Sequence, residues 1–240
     1  MQYIASCSFG KDSLAMVLLL IAKNEPLDEV VFYDTGMEFD AIYHIRDKLI
    51  PILEDNGIKY VELKPDRPFL YDMLEKPIYS KKNGHHNGYG WCGGACRWGT
   101  RFKTDIIARH NNSINDEIYE YIGIAADEQD RIKDKHYPLV EWGMTEKNCL
   151  DYCRENGWQW LEMENGQAVD LYDVLDRVSC WCCSNKNLKE LNAIHRHLPS
   201  YWDRLKDLQR QIEKPMKRYS RKGESYGNVF QLEKHFNERR

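Results

Sequence analysis

Hydrophobic and polar positions change period block by block over the first 65 residues. Gln2 to Ser8 reads as a buried strand, Leu14 to Asn24 as an apolar helix and Glu29 to Tyr33 as a second strand. Asp40 to Asn56 carries an amphipathic helical pattern that Gly57 ends, and Lys59 to Leu63 makes a third strand. Strands alternating with helices mark βαβ units, and hence a parallel sheet with helices on its faces. Phe69 to Lys76 adds a short helix.

After Pro77 the pattern breaks. Lys81 to Lys103 holds five Lys or Arg, no Asp or Glu, two adjacent histidines and six of the fifteen glycines, which reads as a loop. Regularity returns with a helix over Thr104 to His110 and a fourth strand over Glu117 to Ile124, followed by the acidic turn Ala126, Asp127, Glu128. Thr145 is placed to cap a helix from Glu146 to Asn156, closed by Gly157. Trp158 to Asp176 matches neither period. Asn187 to His197 and Tyr201 to Glu213 read as helices separated by Pro199, with a polar segment beyond Pro215. No internal repeat or interdomain linker interrupts the chain. The expected organisation is one α/β domain over residues 1–200 and a basic helical extension over 201–240.

The chain has 240 residues, 42% hydrophobic and 30% charged, enough apolar material for one sizeable core. Its longest apolar run, Leu14 to Ala22, is far short of the roughly 20 residues that a membrane span needs. No basic segment leads into an apolar stretch at the start, so the expectation is a cytoplasmic protein without a signal peptide. That placement decides how the eight cysteines are read. In a reducing compartment clustered thiols are metal or cluster ligands rather than disulfides. Net charge is -4, but Asp203 to Arg240 holds eleven Lys or Arg against six Asp or Glu. A basic tail suits an anionic partner, and a solvated helix face accounts for it equally well.

Ser6-Cys7-Ser8-Phe9-Gly10-Lys11-Asp12-Ser13 joins the first strand to the first helix. Gly10 permits a close turn, Ser8 and Ser13 bring hydroxyls, Lys11 a cation, and the helix start brings amides, together an anion cradle. The glycine spacing is that of neither a Walker motif nor a dinucleotide fingerprint. The segment Ser-x-Gly-Lys-Asp-Ser resembles the signature of PP-loop ATP pyrophosphatases, whose members cleave ATP between the α and β phosphates. Asp34-Thr35-Gly36-Met37-Glu38-Phe39 resembles the Asp-Thr-Gly-x-x-Phe segment of the phosphoadenosine phosphosulfate (PAPS) reductase family. The resemblance extends over roughly residues 2 to 200. It implies an adenine nucleotide alpha hydrolase-like fold, a doubly wound and mainly parallel five-stranded α/β sheet. Lys11, Asp12 and Ser13 would be catalytic. Ser6, Ser8, Phe9, Gly10, Asp34, Thr35, Gly36, Glu38, Gly123 and Arg131 would join them around the nucleotide, with Mg2+ near Asp12 or Asp34.

Cys92-x3-Cys96 and Cys180-x-Cys182-Cys183 are short-spaced thiol clusters of the kind that converge on one ion or iron-sulfur cluster. Cys96-Arg97-Trp98-Gly99-Thr100 is similar to the family's Cys-Arg-Trp-Cys-Thr, with Gly99 in place of the second cysteine, and Pro138-Leu139 to Trp142 is similar to its Pro-Leu-x-x-Trp stretch. The resemblance implies that Cys92, Cys96, Cys180 and Cys183 hold a four-iron four-sulfur cluster, or Zn2+ in the same place, with Cys182 able to replace either neighbour. Cys149 and Cys153 share a helix face and read as packing, as does Cys7.

Two departures shape the functional expectation. The family's anion-binding arginines near Ala125 and Ala126 are absent, leaving Arg131, and no cysteine follows Cys183 to serve as the tail nucleophile of a reductase. The expected activity is therefore ATP cleavage that adenylates an acceptor, including activation for sulfur transfer. The alternatives are a sulfonucleotide reductase using an external thiol and a non-catalytic nucleotide-sensing or nucleic-acid-binding module. Lys81, Lys82, Arg97, Arg101 and Lys103 interleave with Tyr89, Trp91 and Trp98, a composition suited to nucleic acid such as tRNA or DNA and equally to a loop shielding a cluster. A sulfur-donor protein and a homodimer are further partners the reading allows; a membrane is not.

Overall fold

The computed structural model describes residues 1–81, 84–94, 96–133, 135–217, 219–221 and 224–238. Lys82, expected in the basic loop, and Arg218, Lys222, Arg239 and Arg240 of the basic tail lie outside the described residues. The chain divides into two compact units. One comprises Met1–Asp34, Glu38–Lys64 and Lys103–Trp160; the other comprises Thr35–Met37, Pro65–Phe102 and Leu161–Arg240. The boundary expected near residue 200 falls inside the second.

In chain order the elements are β1 (Gln2–Ser6), α1 (Lys11–Ala22), β2 (Glu29–Tyr33), α2 (Asp40–Asp55), β3 (Lys59–Leu63), β4 (Pro77–Ser80), β5 (Gly84–Asn87), α3 (Lys103–Asn112) and β6 (Ile118–Ile122). They continue with α4 (Pro138–Glu141), α5 (Glu146–Glu155), β7 (Leu161–Glu164), β8 (Gln167–Asp170), α6 (Leu171–Val174), α7 (Leu188–His197), α8 (Pro199–Gln211), β9 (Tyr219–Arg221), β10 (Glu224–Tyr226) and α9 (Val229–Asn237).

The first unit is a parallel sheet in the order β3-β2-β1-β6. β2 is buried along its whole length, as a strand covered on both faces must be. Its one charged residue, Glu29, is tolerated because His110 of α3 and Lys59 of β3 lie 2.5 and 2.8 Å from its oxygens. α1 buries Leu14, Met16, Val17 and Leu20, and α2 buries Ile42, Ile45, Leu49 and Leu53, the stripe its sequence pattern implies. β1, β2 and β3 run outward in one direction while β6 lies on the other side of β1. The order therefore reverses at β1 and β6, and in such sheets the crevice beyond the carboxyl ends at that point is where ligands bind.

The main sheet has four strands among the described residues, where five were expected. Among the described residues the segment after β6 touches the edge at one point, a parallel bridge between Tyr121 and His136 in which Ile122 donates to the His136 carbonyl at 3.1 Å. Pro138 then starts α4 and has no N–H with which to extend a ladder.

The second unit contains three two-stranded antiparallel ribbons and the helices α6 to α9. The unassigned stretch from Trp158 to Asp176 contains the β7–β8 hairpin, which turns at Asn165-Gly166 with φ of 51° and 79°. Asn-Gly is the dipeptide such a turn favours. The glycine-rich segment Lys81 to Lys103 is not all loop, since it holds β5 and a π-helical turn over Arg97–Phe102. The polar segment beyond Pro215 closes with α9, started by a capping box between Asn228 and Gln231. Tyr201, Trp202, Leu205 and Leu208 of α8 and Leu232 and Phe236 of α9 supply much of this unit's core. No helix among the described residues is long and apolar enough to cross a membrane.

Candidate functional site

The loop between β1 and α1 sits at the reversal point of the sheet. Phe9 takes a left-handed conformation, φ 57°, unusual for a residue with a side chain. Two buried contacts hold it there: its ring packs edge-on against Phe32, centroids 4.9 Å apart, and its carbonyl accepts a 2.7 Å hydrogen bond from the Trp160 indole. Ser13 organises the rest. Its hydroxyl accepts from the Ser8 amide at 3.1 Å, lies 3.1 Å from the Ser8 hydroxyl, and donates to the Gly10 carbonyl at 3.2 Å. The loop is thereby folded back on the helix start, where a helix leaves first-turn amides without intrahelical partners. Gly123, in the turn after β6, presses on this start so closely that a Cβ would lie 2.8 Å from the Ser13 Cα.

Lys11 opens α1 and is largely buried. Its ammonium donates to both Asp12 oxygens at 3.0 and 3.1 Å and to Glu146 at 2.7 Å. Burial opposes the charged amine, but Asp12 and Glu146 outweigh it and hold the Lys11 pKa above its ordinary value. Burial also pushes the Asp12 carboxyl up, against the pull of Lys11 and with help from the Glu146 and Glu128 carboxylates. The start of α5 is tied into the same corner, since the Glu146 amide donates to Asp127 at 2.9 Å.

In the second unit a cavity of about 240 Å3 is lined by Cys92, Cys96, Cys180, Cys182 and Cys183. Backbone amides face two of the sulfurs: Arg97 donates to Cys92 at 3.4 Å and Gly99 to Cys96 at 3.5 Å. Such bonds favour the thiolate that a metal requires. Burial nonetheless raises the Cys96 thiol above its ordinary value, the amides of Gly99 and Trp98 opposing. Thr35 approaches Cys180 at 3.5 Å. A side chain at position 99 would begin 3.9 Å from the Cys96 sulfur and 4.0 Å from that of Cys180. Position 99 thus faces the thiols, and Cys92 reaches the same cavity from the preceding turn. Among the described residues no three His, Cys, Asp or Glu side chains converge closely enough to hold a single ion.

Residues 2–67, which include the β1–α1 loop and the segment after β2, match the family of the phosphoadenosine phosphosulfate reductase domain. The match covers 66 of the 240 residues. It is also 26% identical over 212 residues to an uncharacterized protein of Methanocaldococcus jannaschii, an alignment covering 85% of this chain and 40% of that protein. The chain spans about two fifths of the length of this curated relative.

The fold brings Ser8, Phe9, Gly10, Lys11, Asp12, Ser13 and Gly123 together at one corner of the first unit. Ser6 is drawn aside, its hydroxyl donating to Glu120 at 3.3 Å. Asp34 is buried at the end of β2 and accepts from the Tyr43 hydroxyl at 2.8 Å, and both Asp34 and Glu38 raise the pKa of Tyr43, which burial has already raised. Arg131 forms an ion pair with Glu128. Thr35 and Gly36 belong to the second unit, with the cysteines.

Cys7 is buried, and burial pushes its thiol up to about 11; Cys149 and Cys153 are fully buried as well. Trp98 is 3% exposed and packs on Phe69 at 4.5 Å, so it is not placed to stack on a base, and Tyr89 is covered by Lys76 and Arg97.

Sequence reasoning missed Glu146 and Trp160. Glu146 was hidden as the first residue of an ordinary capped helix, and Trp160 lay in the stretch without a period. Gly123→Ala tests the close approach. The added methyl should cost about 1–3 kcal/mol of unfolding free energy, as overpacking does, and weaken nucleotide binding; an unchanged denaturation midpoint would contradict the geometry.

Proposed function

We propose that this chain binds ATP at the β1–α1 loop and transfers its adenylyl group to an acceptor oxygen. In that reaction the acceptor oxygen bonds to the α-phosphorus, the bond to the oxygen bridging the α and β phosphates breaks, and pyrophosphate leaves with the electron pair. The supporting observation is a nearly buried ammonium, Lys11, at a helix start folded against Ser8 and Ser13 and lying at the sheet's reversal point. Lys11 and the loop amides would neutralise charge growing on the leaving phosphates. Mg2+ binds through one or two carboxylates and the substrate's own phosphates, so Asp12 alone is a sufficient protein partner for the ion a nucleotide brings. Acceptor classes consistent with this chemistry are nucleic acid, a small molecule and a sulfur-donor protein. Lys11→Ala should lower pyrophosphate release from ATP by about a hundredfold, the scale of losing one transition-state donor. Equal release by the variant would end this assignment.

For the second unit we propose that Cys92, Cys96, Cys180 and Cys183 hold a four-iron four-sulfur cluster. In such a cluster each thiolate binds a different iron, so the sulfurs stand around a cavity rather than meeting at one point. The supporting observation is that five thiols line one shared space. The chain's contribution would be thiolate ligation, with the amides of Arg97 and Gly99 supporting the negative sulfurs. Anaerobically purified protein should be brown, with about four iron per chain, and Cys96→Ser together with Cys180→Ser should remove both colour and iron. Colourless protein containing zinc would replace the cluster with a zinc site.

A further inference from the structure

Asp12 and Glu146, both carboxylate partners of the Lys11 ammonium, are of unequal standing. Asp12 is the lysine's neighbour in the chain, with a side chain 22% exposed, whereas Glu146 comes from another helix and is 41% exposed. Lys11 itself is 9% exposed. Of the two carboxylates Glu146 is the freer to turn to water, because it is the more exposed and because Asp12, next to Lys11 in the chain, stays beside the buried ammonium when Glu146 leaves.

The placement of Glu146 is built into α5. Glu146, Cys149 and Cys153 stand at i, i+3 and i+7, one face of the helix, and the two cysteines are fully buried. The Cys153 thiol donates to the Lys11 carbonyl at 3.5 Å, so this face lies directly on the first turn of α1. The Thr145–Asn148 capping box and the bond from the Glu146 amide to Asp127 fix the helix end. Cys149 and Cys153 therefore have a place in the account: they are small enough to let α5 seat close to α1.

From this arrangement we infer that Glu146 is a latch on Lys11, occupying in the nucleotide-free protein the place that a substrate phosphate takes. Phosphate entry exchanges one anionic partner of the ammonium for another, and Glu146 turns outward to water while Asp12 stays. Glu146 is thus a positioning residue that sets affinity. The inference rests on the proposed nucleotide site and deepens it, because it makes part of the binding energy the cost of releasing an internal anion.

Glu146→Gln removes the competing charge and keeps the shape. Binding of MgATP and of inorganic pyrophosphate, measured by calorimetry on the full chain, should both tighten by about three- to fivefold, the range of a partly exposed ion pair. Glu146→Ala should move in the same direction, and thermal melts report whether each variant is folded. Damage to the fold weakens binding, so a tighter complex is not a structural side effect. Unchanged or weaker binding of both ligands by folded variants would overturn the latch while leaving the nucleotide site standing. If the unaltered protein and Glu146→Gln bind neither ligand, the nucleotide site and the latch fall together.

Discussion

A lysine ammonium nearly removed from water at the first turn of a helix is the constraint on which the first unit depends. The start of a helix is its electropositive end, so a buried cation there is opposed twice, by desolvation and by the peptide dipoles. Asp12 is adjacent in sequence, but a second carboxylate is needed within reach, and Glu146 comes from 135 residues away. To bring it there α5 must lie on α1, which requires the small buried face of Cys149 and Cys153. The turn after β6 must also come close enough for Asp127 to hold the α5 start, and that approach in turn requires glycine at position 123. The corner that results holds one ammonium between two carboxylates, and the proposed site has a phosphate take the place of one of them.

Phe9 shows a second side of the same constraint. The loop bends through a left-handed residue that carries a large side chain, where glycine would be the easy choice. The bend persists because the ring is buried against Phe32 and the carbonyl is held by Trp160. Rigidity in the loop is thus set by the packing beneath it.

Much of this was legible along the chain. The first three strands, the helices between them, and the Ser- and Lys-bearing turn that joins β1 to α1 follow from local periodicity and from residue chemistry within eight positions. What was not legible depends on partners distant in sequence. Glu146 and Trp160 look ordinary until the fold delivers them to residues 11 and 9. Trp98 looked like a stacking platform because it sits among basic residues, but its ring is consumed by Phe69. The resemblance implied a fifth strand without placing it; among the described residues the chain after β6 meets the sheet edge at one bridge, and Pro138, which has no N–H, follows two residues later. The cysteines divide in the same way. Their spacing identified the groups that share a cavity, whereas the reason for Cys149 and Cys153 came only from the helix they press against.

The central claim is that the amides and side chains at the start of α1 form the seat of a nucleotide's phosphates. Amide hydrogen exchange of the full chain, with and without MgATP, tests it most directly. The account predicts new protection concentrated at residues 8–14 and in the turn around residue 123, where the cradle closes on phosphate. Nucleotide-dependent protection that leaves these two segments unchanged would contradict it.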